Sequence, residues 1–250
     1  MRRRKLAVLL FLAIVTLAFG ATAGPNLAGT GGTSGGCNGS TTFCWASPGN
    51  ITANDGLSAR VDLGVSGSSN ELQGTNFAFA IPAGSTINGI TVEIKKQAIT
   101  GVGNPTDVDV TILKTGVATG TNLGHTGAGN GWLTAGAIDT YGGTASLWGT
   151  TWAPADINAT NFGVQISCVE WTGGGASSAG VDFIRITITY TPPAPPPAGG
   201  GHRIMQTQTR EGTVKQVFQN TAKRSFSSLP AGLAQTNLST GSAWLFFFGV

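Results

Sequence analysis

Apolar and polar residues alternate along five segments of this chain, and this period of two constrains the fold more than any other feature. In the clearest segment, Ile90, Val92 and Ile94 alternate with polar residues. Successive side chains of a strand point to opposite faces, so such a segment has one buried and one solvated face. Residues 77–81, 108–112, 162–168 and 184–190 repeat the pattern. We therefore predict an all-β fold, an antiparallel β-sandwich.

The first residues have the three parts of a secretory signal peptide. Residues 2–5 are basic, residues 6–19 are apolar apart from Thr16, and residues 21–23 offer a small-residue cleavage site. We predict a signal peptide over residues 1–23, cleaved after Ala23, and secretion to the extracellular space or the cell surface. An uncleaved anchor is the alternative, but the apolar stretch is shorter than the roughly 20 residues of a span. No later stretch is long enough to cross a bilayer.

This leader also sets the charge of the chain, which carries 14 Lys+Arg and 11 Asp+Glu in all. Residues 1–23 hold four of the basic residues and no acidic one, which leaves ten basic and eleven acidic residues after cleavage. The secreted chain therefore has a net charge of −1. The basic isoelectric point belongs to the leader, so we predict no nucleic-acid partner.

Three cysteines follow the leader. Cys37 and Cys44 lie close together in a stretch rich in Gly, Ser and Thr, and export permits a disulfide between them. Closing so short a loop stabilises a fold by roughly 2–3 kcal/mol. Cys168 falls on the apolar phase of its strand, which predicts a buried free thiol. Neither His125 nor His202 has metal-ligand spacing from the cysteines.

Composition divides the rest of the chain into four parts. Residues 24–41 are predicted to be a flexible Gly/Ser/Thr-rich lead-in, and residues 42–191 carry the strand signals of one sandwich. Residues 192–201 are a Pro/Gly linker, and residues 202–250 form a tail. Strands are predicted near 42–46, 57–63, 71–81, 87–99, 106–115, 161–171 and 180–191, with a helical turn at 154–158.

The tail is basic and ends in an apolar run. It has a net charge of +4, from five basic residues and one acidic residue, whereas residues 24–201 have five basic and ten acidic residues, a net of −5. Opposite charge favours docking, within one chain or between neighbours. The spacing of Val214, Val217, Phe218 and Ala222 is compatible with a short amphipathic helix. The apolar end packs either on its own domain or on a neighbour, and is our candidate assembly segment: Trp244, Leu245, Phe246, Phe247 and Phe248.

Residue types that carry catalysis are sparse in the predicted sandwich. His125 lies in a Gly-rich loop, where a surface role is favoured over that of a general base. Asp107, Asp109 and Glu93 suggest paired carboxylates, but acids on a solvated strand face more often pair with Lys or Arg across strands. We predict a non-enzymatic protein without a cofactor. The alternative of a structural calcium ion rests on carboxylates at loops and strand ends: Asp55, Asp62, Asp139, Asp156 and Asp182.

Aromatic residues concentrate in the loop-rich middle of the chain and suggest a glycan-binding surface. An exposed ring offers an apolar face for a sugar, and nearby polar groups fix its orientation. The competing interpretation is that these rings pack beneath long loops. The candidate glycan-binding residues are Trp132, Tyr141, Trp148 and Trp152.

Three longer motifs are spread over residues 45–191. They are Trp45-x-x-Pro48-x-Asn50 with Asp55-Gly56, Phe77-x-Phe79-x-Ile81-Pro82-x-Gly84-x-x-Ile87-x-Gly89-Ile90-x-Val92-Glu93-Ile94, and Leu147-Trp148-Gly149-x-x-Trp152-x-Pro154-x-Asp156-Ile157-Asn158-x-x-Asn161-Phe162-Gly163-Val164. Together they resemble a module of secreted bacterial and phage-associated surface proteins. The resemblance implies a jelly-roll or lectin-like sandwich that serves attachment or structure, and it brings no catalytic residues. The tail lies outside this resemblance.

From the sequence we therefore expect a secreted surface or virion-associated structural protein that self-associates, or contacts a surface partner, through its tail. The alternative is a carbohydrate-binding attachment module. The two differ in where the binding groups lie, in residues 202–250 or in the tryptophan-rich middle.

Overall fold

The computed structural model describes residues 20–101, 103–171 and 175–195, and two strands at 203–208 and 214–219. The chain divides into two compact units between Ala194 and Pro195. The strands are β1 (Ala21–Leu27), β2 (Thr30–Ser34), β3 (Thr42–Phe43), β4 (Ala59–Leu63), β5 (Ser68–Ser69), β6 (Glu71–Thr75), β7 (Thr86–Gly101), β8 (Pro105–Lys114), β9 (Val117–Thr119), β10 (Ala137–Gly143), β11 (Gly163–Glu170), β12 (Ser177–Thr191), β13 (Arg203–Gln208) and β14 (Val214–Gln219); the helices are a 3-10 turn (Pro48–Ile51) and α1 (Pro154–Asn158).

The first sheet is built around the long strand β12. One edge of β12 pairs with β7 along nearly its whole length. Strands β4 and β1 also pair with β12, β4 near its start and β1 near its end. Strand β10 completes the sheet on β7, and all of these pairs are antiparallel.

The second sheet repeats this plan around β11. Strand β8 pairs with β11 along its length and carries β9. Strands β6 and β5 also pair with β11, and β2 extends the sheet beyond β6. All of these pairs are antiparallel, while the short strand β3 runs parallel to β5.

The core lies between the two sheets and follows the alternation seen in the sequence. Ile90, Val92 and Ile94 of β7 are fully buried, as are Val164 and Ile166 of β11. Burying a side chain of this size contributes about 1.5–3 kcal/mol. The predicted all-β sandwich is confirmed. Its jelly-roll character stays a prediction.

The segment predicted to be a flexible lead-in is instead part of the sandwich. Within residues 24–41 the structure places most of β1 and all of β2, so the sandwich begins at Ala21 rather than at residue 42. The predicted cleavage point after Ala23 lies inside β1. Strand pairing uses backbone N–H and C=O groups, and small residues such as Thr30 and Gly31 of β2 supply them as well as larger ones do.

Residues 77–81 alternate in burial but form no strand. Phe77, Phe79 and Ile81 are buried, whereas the predicted strand 71–81 ends at Thr75. The Asn158 side chain replaces a partner strand, because its oxygen accepts from the Ile81 N–H and its nitrogen donates to the Ile81 carbonyl. Asn158 belongs to α1, the helical turn predicted at 154–158, which is confirmed.

The second unit contains a β-hairpin. Strands β13 and β14 pair antiparallel, with Ile204 opposite Phe218 and Met205 opposite Val217. The short helix suggested over this region is wrong, since residues 214–219 are extended. The apolar segment Trp244 to Phe248 lies outside the described residues. Within the part of the chain that the structure describes, there is no helix long and apolar enough to cross a membrane.

Candidate functional site

A β-bulge in β8 places one carboxylate inside the sandwich. Ser167 pairs with Asp109 and Cys168 with Asp107, so Val108 is an extra residue without a partner on β11. A bulge of this kind switches the phase of the strand. As a result, Val108 is 41% exposed whereas Asp107 is only 1% exposed. The carboxylate of Asp107 is thereby directed away from water.

Asp107 accepts four hydrogen bonds from four different residues. Its Oδ1 accepts from Lys96 Nζ at 2.5 Å and from the Trp132 indole N–H at 2.8 Å. Its Oδ2 accepts from the Tyr141 hydroxyl and from the His125 backbone N–H, both at 2.8 Å. A carboxylate has about four lone-pair positions, so this buried group is fully satisfied.

Lys96 is the cation of the site and lies on the apolar phase of β7. It follows Ile90, Val92 and Ile94 at steps of two and is 3% exposed. Besides Asp107, its ammonium contacts the Tyr141 hydroxyl at 2.6 Å and Asp139 Oδ2 at 2.8 Å. An ammonium has three N–H donors, and each of them has an acceptor here.

Aromatic rings surround this ion pair. Lys96 Nζ lies 5.0 Å from the ring centre of Trp132 and 5.3 Å from that of Tyr141, within the range of cation–π attraction. The ring of His125 packs on Tyr141 with centres 4.8 Å apart. The His125 Nδ1 atom also lies 3.6 Å from Asp139 Oδ2.

Tyr141 links the lysine to the aspartate through its hydroxyl, which accepts from Lys96 and donates to Asp107. Burial, followed by the negative charge of Asp107, raises the pKa of Tyr141 far above its usual value. The phenol therefore keeps its proton at every physiological pH. We call Lys96, Asp107, Trp132, Asp139 and Tyr141 the Lys–Asp cluster.

The Lys–Asp cluster joins the two sheets of the sandwich. Lys96 belongs to β7 of the first sheet, and Asp107 belongs to β8 of the second. A buried ion pair is strongly destabilising when one partner is removed, because the other charge is left without compensation. The cluster thus makes the two sheets depend on one another.

The structure does not support the predicted glycan platform, because it buries three of the four rings that would have to be exposed. Trp132, Tyr141 and Trp148 are all core residues. The indole of Trp148 donates to the Ile90 carbonyl, and the partly buried ring of Trp152 packs edge-on against Phe162. Their packing in or against the core agrees with the competing interpretation.

The five aspartates proposed as calcium ligands are engaged separately. Asp62 pairs with Arg60, Asp139 with Lys96, Asp156 with Lys114 and Asp182 with Lys95, while Asp55 accepts from the Leu57 N–H. Within the described residues, no group of three or more His, Cys, Asp or Glu side chains is placed to hold a metal ion. The structure does not bring the five aspartates together.

The carboxylates considered for catalysis also separate. Asp109 accepts hydrogen bonds from Thr111 and, at 2.7 Å, from Gln165 on the second sheet. Glu93 forms a bidentate ion pair with Arg185, its register partner on β12. Arg185 Nε and Nη2 each donate to one carboxylate oxygen of Glu93 at 2.9 Å. The expected cross-strand pairing of acids with Lys or Arg is confirmed for Glu93.

The cysteines occupy the places that the sequence predicts. Cys37 and Cys44 form a disulfide, and Cys168 is a buried free thiol beside Ser69. Burial raises the pKa of the Cys168 thiol to about 12. This thiol is therefore protonated and inert at neutral pH.

Comparisons with models of protein families, with curated proteins and with solved structures found no match to this chain. The resemblance to secreted surface modules therefore stays a prediction.

Proposed function

We propose that this protein is a secreted, non-enzymatic structural protein of a cell or virion surface. The observation that carries the proposal is the Lys–Asp cluster. Its donors and acceptors bind one another across the two sheets, and Lys96 and Asp107 are shielded from solvent. Such an arrangement supports a role in holding the domain together rather than in binding a substrate.

Assembly is assigned to the C-terminal unit. An isolated two-stranded hairpin is marginally stable in water, and its outer edges present unpaired backbone groups. Among the residues that the structure describes, β13 and β14 pair only with each other, and an added strand from a neighbour would stabilise this sheet. The charge of +4 on residues 202–250 and of −5 on residues 24–201 also favours contact between subunits.

A proline placed in the hairpin of the secreted chain tests this assignment. Val217→Pro removes a backbone N–H and breaks β14, so it should convert an assembled protein to monomers. Ala198→Pro is the matched control, because it adds a proline to a segment that already contains several. The measurement is size-exclusion chromatography with light scattering, and circular dichroism checks the sandwich.

The result expected is assembly of the wild type and of Ala198→Pro, with Val217→Pro monomeric and the sandwich still folded. Assembly of all three, or a monomeric wild type, would contradict the proposal. A carbohydrate-binding role gains nothing from Trp132, Tyr141 and Trp148, since their rings are covered.

A further inference from the structure

We propose that Lys96 and Asp107 react with each other, so that an amide bond joins Nζ to Cγ across the two sheets and one water molecule is released. The two groups are 2.5 Å apart at Nζ and Oδ1, and the side chains are 3% and 0% exposed. This modification goes beyond the structural role proposed above and does not depend on it.

Position and burial supply the two conditions for this reaction. The fold holds amine and carboxyl in contact, and such positioning gives effective concentrations far above those reached in solution. Both side chains are almost fully buried, where separate charges cost more than they do in water. Movement of one proton from Lys96 to Asp107 gives a neutral amine and a neutral acid. These are the species that can form an amide.

The Tyr141 hydroxyl provides the path for the protons. It accepts from Lys96 Nζ at 2.6 Å and donates to Asp107 Oδ2 at 2.8 Å, so it can pass a proton from nitrogen to oxygen. One such transfer makes Nζ neutral and protonates Oδ2. The Nζ electron pair then forms the bond to Cγ, and the C=O electrons move onto Oδ1.

A second proton transfer through Tyr141 allows water to leave and completes the amide. The nitrogen loses another proton, Oδ2 receives it, and the bond from Cγ to Oδ2 breaks with its electrons on oxygen. Oδ2 departs as water, and the C=O bond to Oδ1 forms again. The ammonium and carboxylate have become one secondary amide and one water, with no oxidant or reductant.

Two further residues stabilise charge during the reaction. The Trp132 indole N–H lies 2.8 Å from Oδ1, where negative charge develops on the tetrahedral intermediate. Asp139 Oδ2 lies 2.8 Å from Nζ, where positive charge develops at the same time. The Trp132 indole and the Asp139 carboxylate are both in position before the reaction begins, which is the condition for effective electrostatic stabilisation.

Tryptic digestion of the purified, folded, secreted chain tests the proposal directly, because trypsin cleaves after unmodified lysine. If Lys96 is free, digestion releases the peptide Gln97–Lys114, which contains no internal lysine or arginine. If the amide has formed, cleavage after Lys96 fails. Mass spectrometry should then find a peptide that includes Lys96 and Asp107, ends at Lys114 and is lighter by one water.

Variants separate the reaction from simple ion pairing. Lys96→Arg should abolish the mass loss, and Lys95→Arg, a change at the neighbouring lysine that pairs with Asp182, should leave it intact. Tyr141→Phe keeps the ring but removes the relay, and should slow linkage by about a hundredfold, measured as the growth of the mass loss with time after synthesis of the chain. Recovery of Gln97–Lys114 from folded wild-type protein would overturn the proposal, whatever the oligomeric state of the chain.

Discussion

At the scale of single residues, the alternation in the sequence predicts the burial of Lys96 but not that of Asp107. Lys96 stands in the same phase as Ile90, Val92 and Ile94, and this was the available signal for its burial. Asp107 carried the opposite signal, because the apolar phase of its segment includes Val108. Only the bulge on β8 reverses that phase, and it depends on pairing with β11, which is remote in sequence.

Cys168 gives a prediction at the same scale. Its pKa is about 12 in the folded protein against 9.0 for an ordinary thiol. Between these pH values the unfolded chain loses a proton that the folded chain keeps. The free energy of unfolding should therefore fall as pH rises, by about 1.4 kcal/mol per pH unit for this residue.

Urea unfolding measured across this alkaline range checks the prediction. The Cys168→Ala variant leaves a cavity, which lowers the free energy of unfolding by the same amount at every pH. The comparison therefore uses the slope of the free energy of unfolding against pH. That slope should be shallower in the variant than in the wild type. Equal slopes would mean that the thiol ionises as easily inside the sandwich as outside it.

At the scale of elements, close backbone approach decides where a side chain is tolerated. A Cβ added at Gly163 of β11 would lie 2.1 Å from the carbonyl oxygen of Gly74 on the paired strand β6. Gly32 of β2 lies in the same sheet and has open space around this position. These two glycines form a matched pair.

The Gly163→Ala variant should lose stability, because β6 and β11 must separate to admit the methyl group. Overpacking of this kind typically costs about 1–3 kcal/mol. Thermal unfolding should show a clear decrease for Gly163→Ala and little change for Gly32→Ala. A decrease of the same size in both variants would contradict the explanation from backbone contact.

How well the sequence predicts an element depends on how the element is stabilised. The sandwich class, α1 and the disulfide follow local signals: alternation, a proline at the helix start and two nearby cysteines. Strands β1 and β2 have few apolar side chains and are fixed by partners far along the chain, β12 and β6. The composition of these strands indicated a loop, since backbone pairing leaves no composition signal.

At residues 77–81 the sequence predicts a strand where the structure has none. The alternation does bury Phe77, Phe79 and Ile81, yet hydrogen bonds from the Asn158 side chain replace strand pairing.

The burial of the candidate glycan-binding rings also depends on polar partners elsewhere in the chain. A Trp or Tyr in a loop-rich segment is buried when its N–H or O–H finds an acceptor, and Asp107 and the Ile90 carbonyl are those acceptors.

At the scale of the whole molecule, the division of charge gives a further prediction about assembly. Residues 24–201, the body of the chain, carry a net charge of −5, and the tail carries +4. Contacts between the tail of one subunit and the body of another should therefore weaken as salt is added. The apparent mass from light scattering should fall between low and high ionic strength. Lys215→Gln together with Arg203→Gln should reduce the salt dependence, since two of the tail charges are removed.

The matched control for that variant is Arg60→Gln, which removes a basic residue of the body that pairs with Asp62. Removing it makes the body more acidic and should not weaken assembly. Assembly that is independent of salt would indicate that apolar contacts alone join the subunits.

The pairing of β1 with β12 has a mechanical consequence. In a chain cleaved after Ala23, the first residue of β1 that pairs with β12 is Asn26, opposite Ile186, so the chain enters the sandwich beside the strand from which it leaves. Tension between the two ends would open the pair at Asn26 and Ile186 first and then proceed one residue pair at a time. Pulling would therefore break the hydrogen bonds between β1 and β12 one pair after another. The contact between Lys96 and Asp107 would not bear this force.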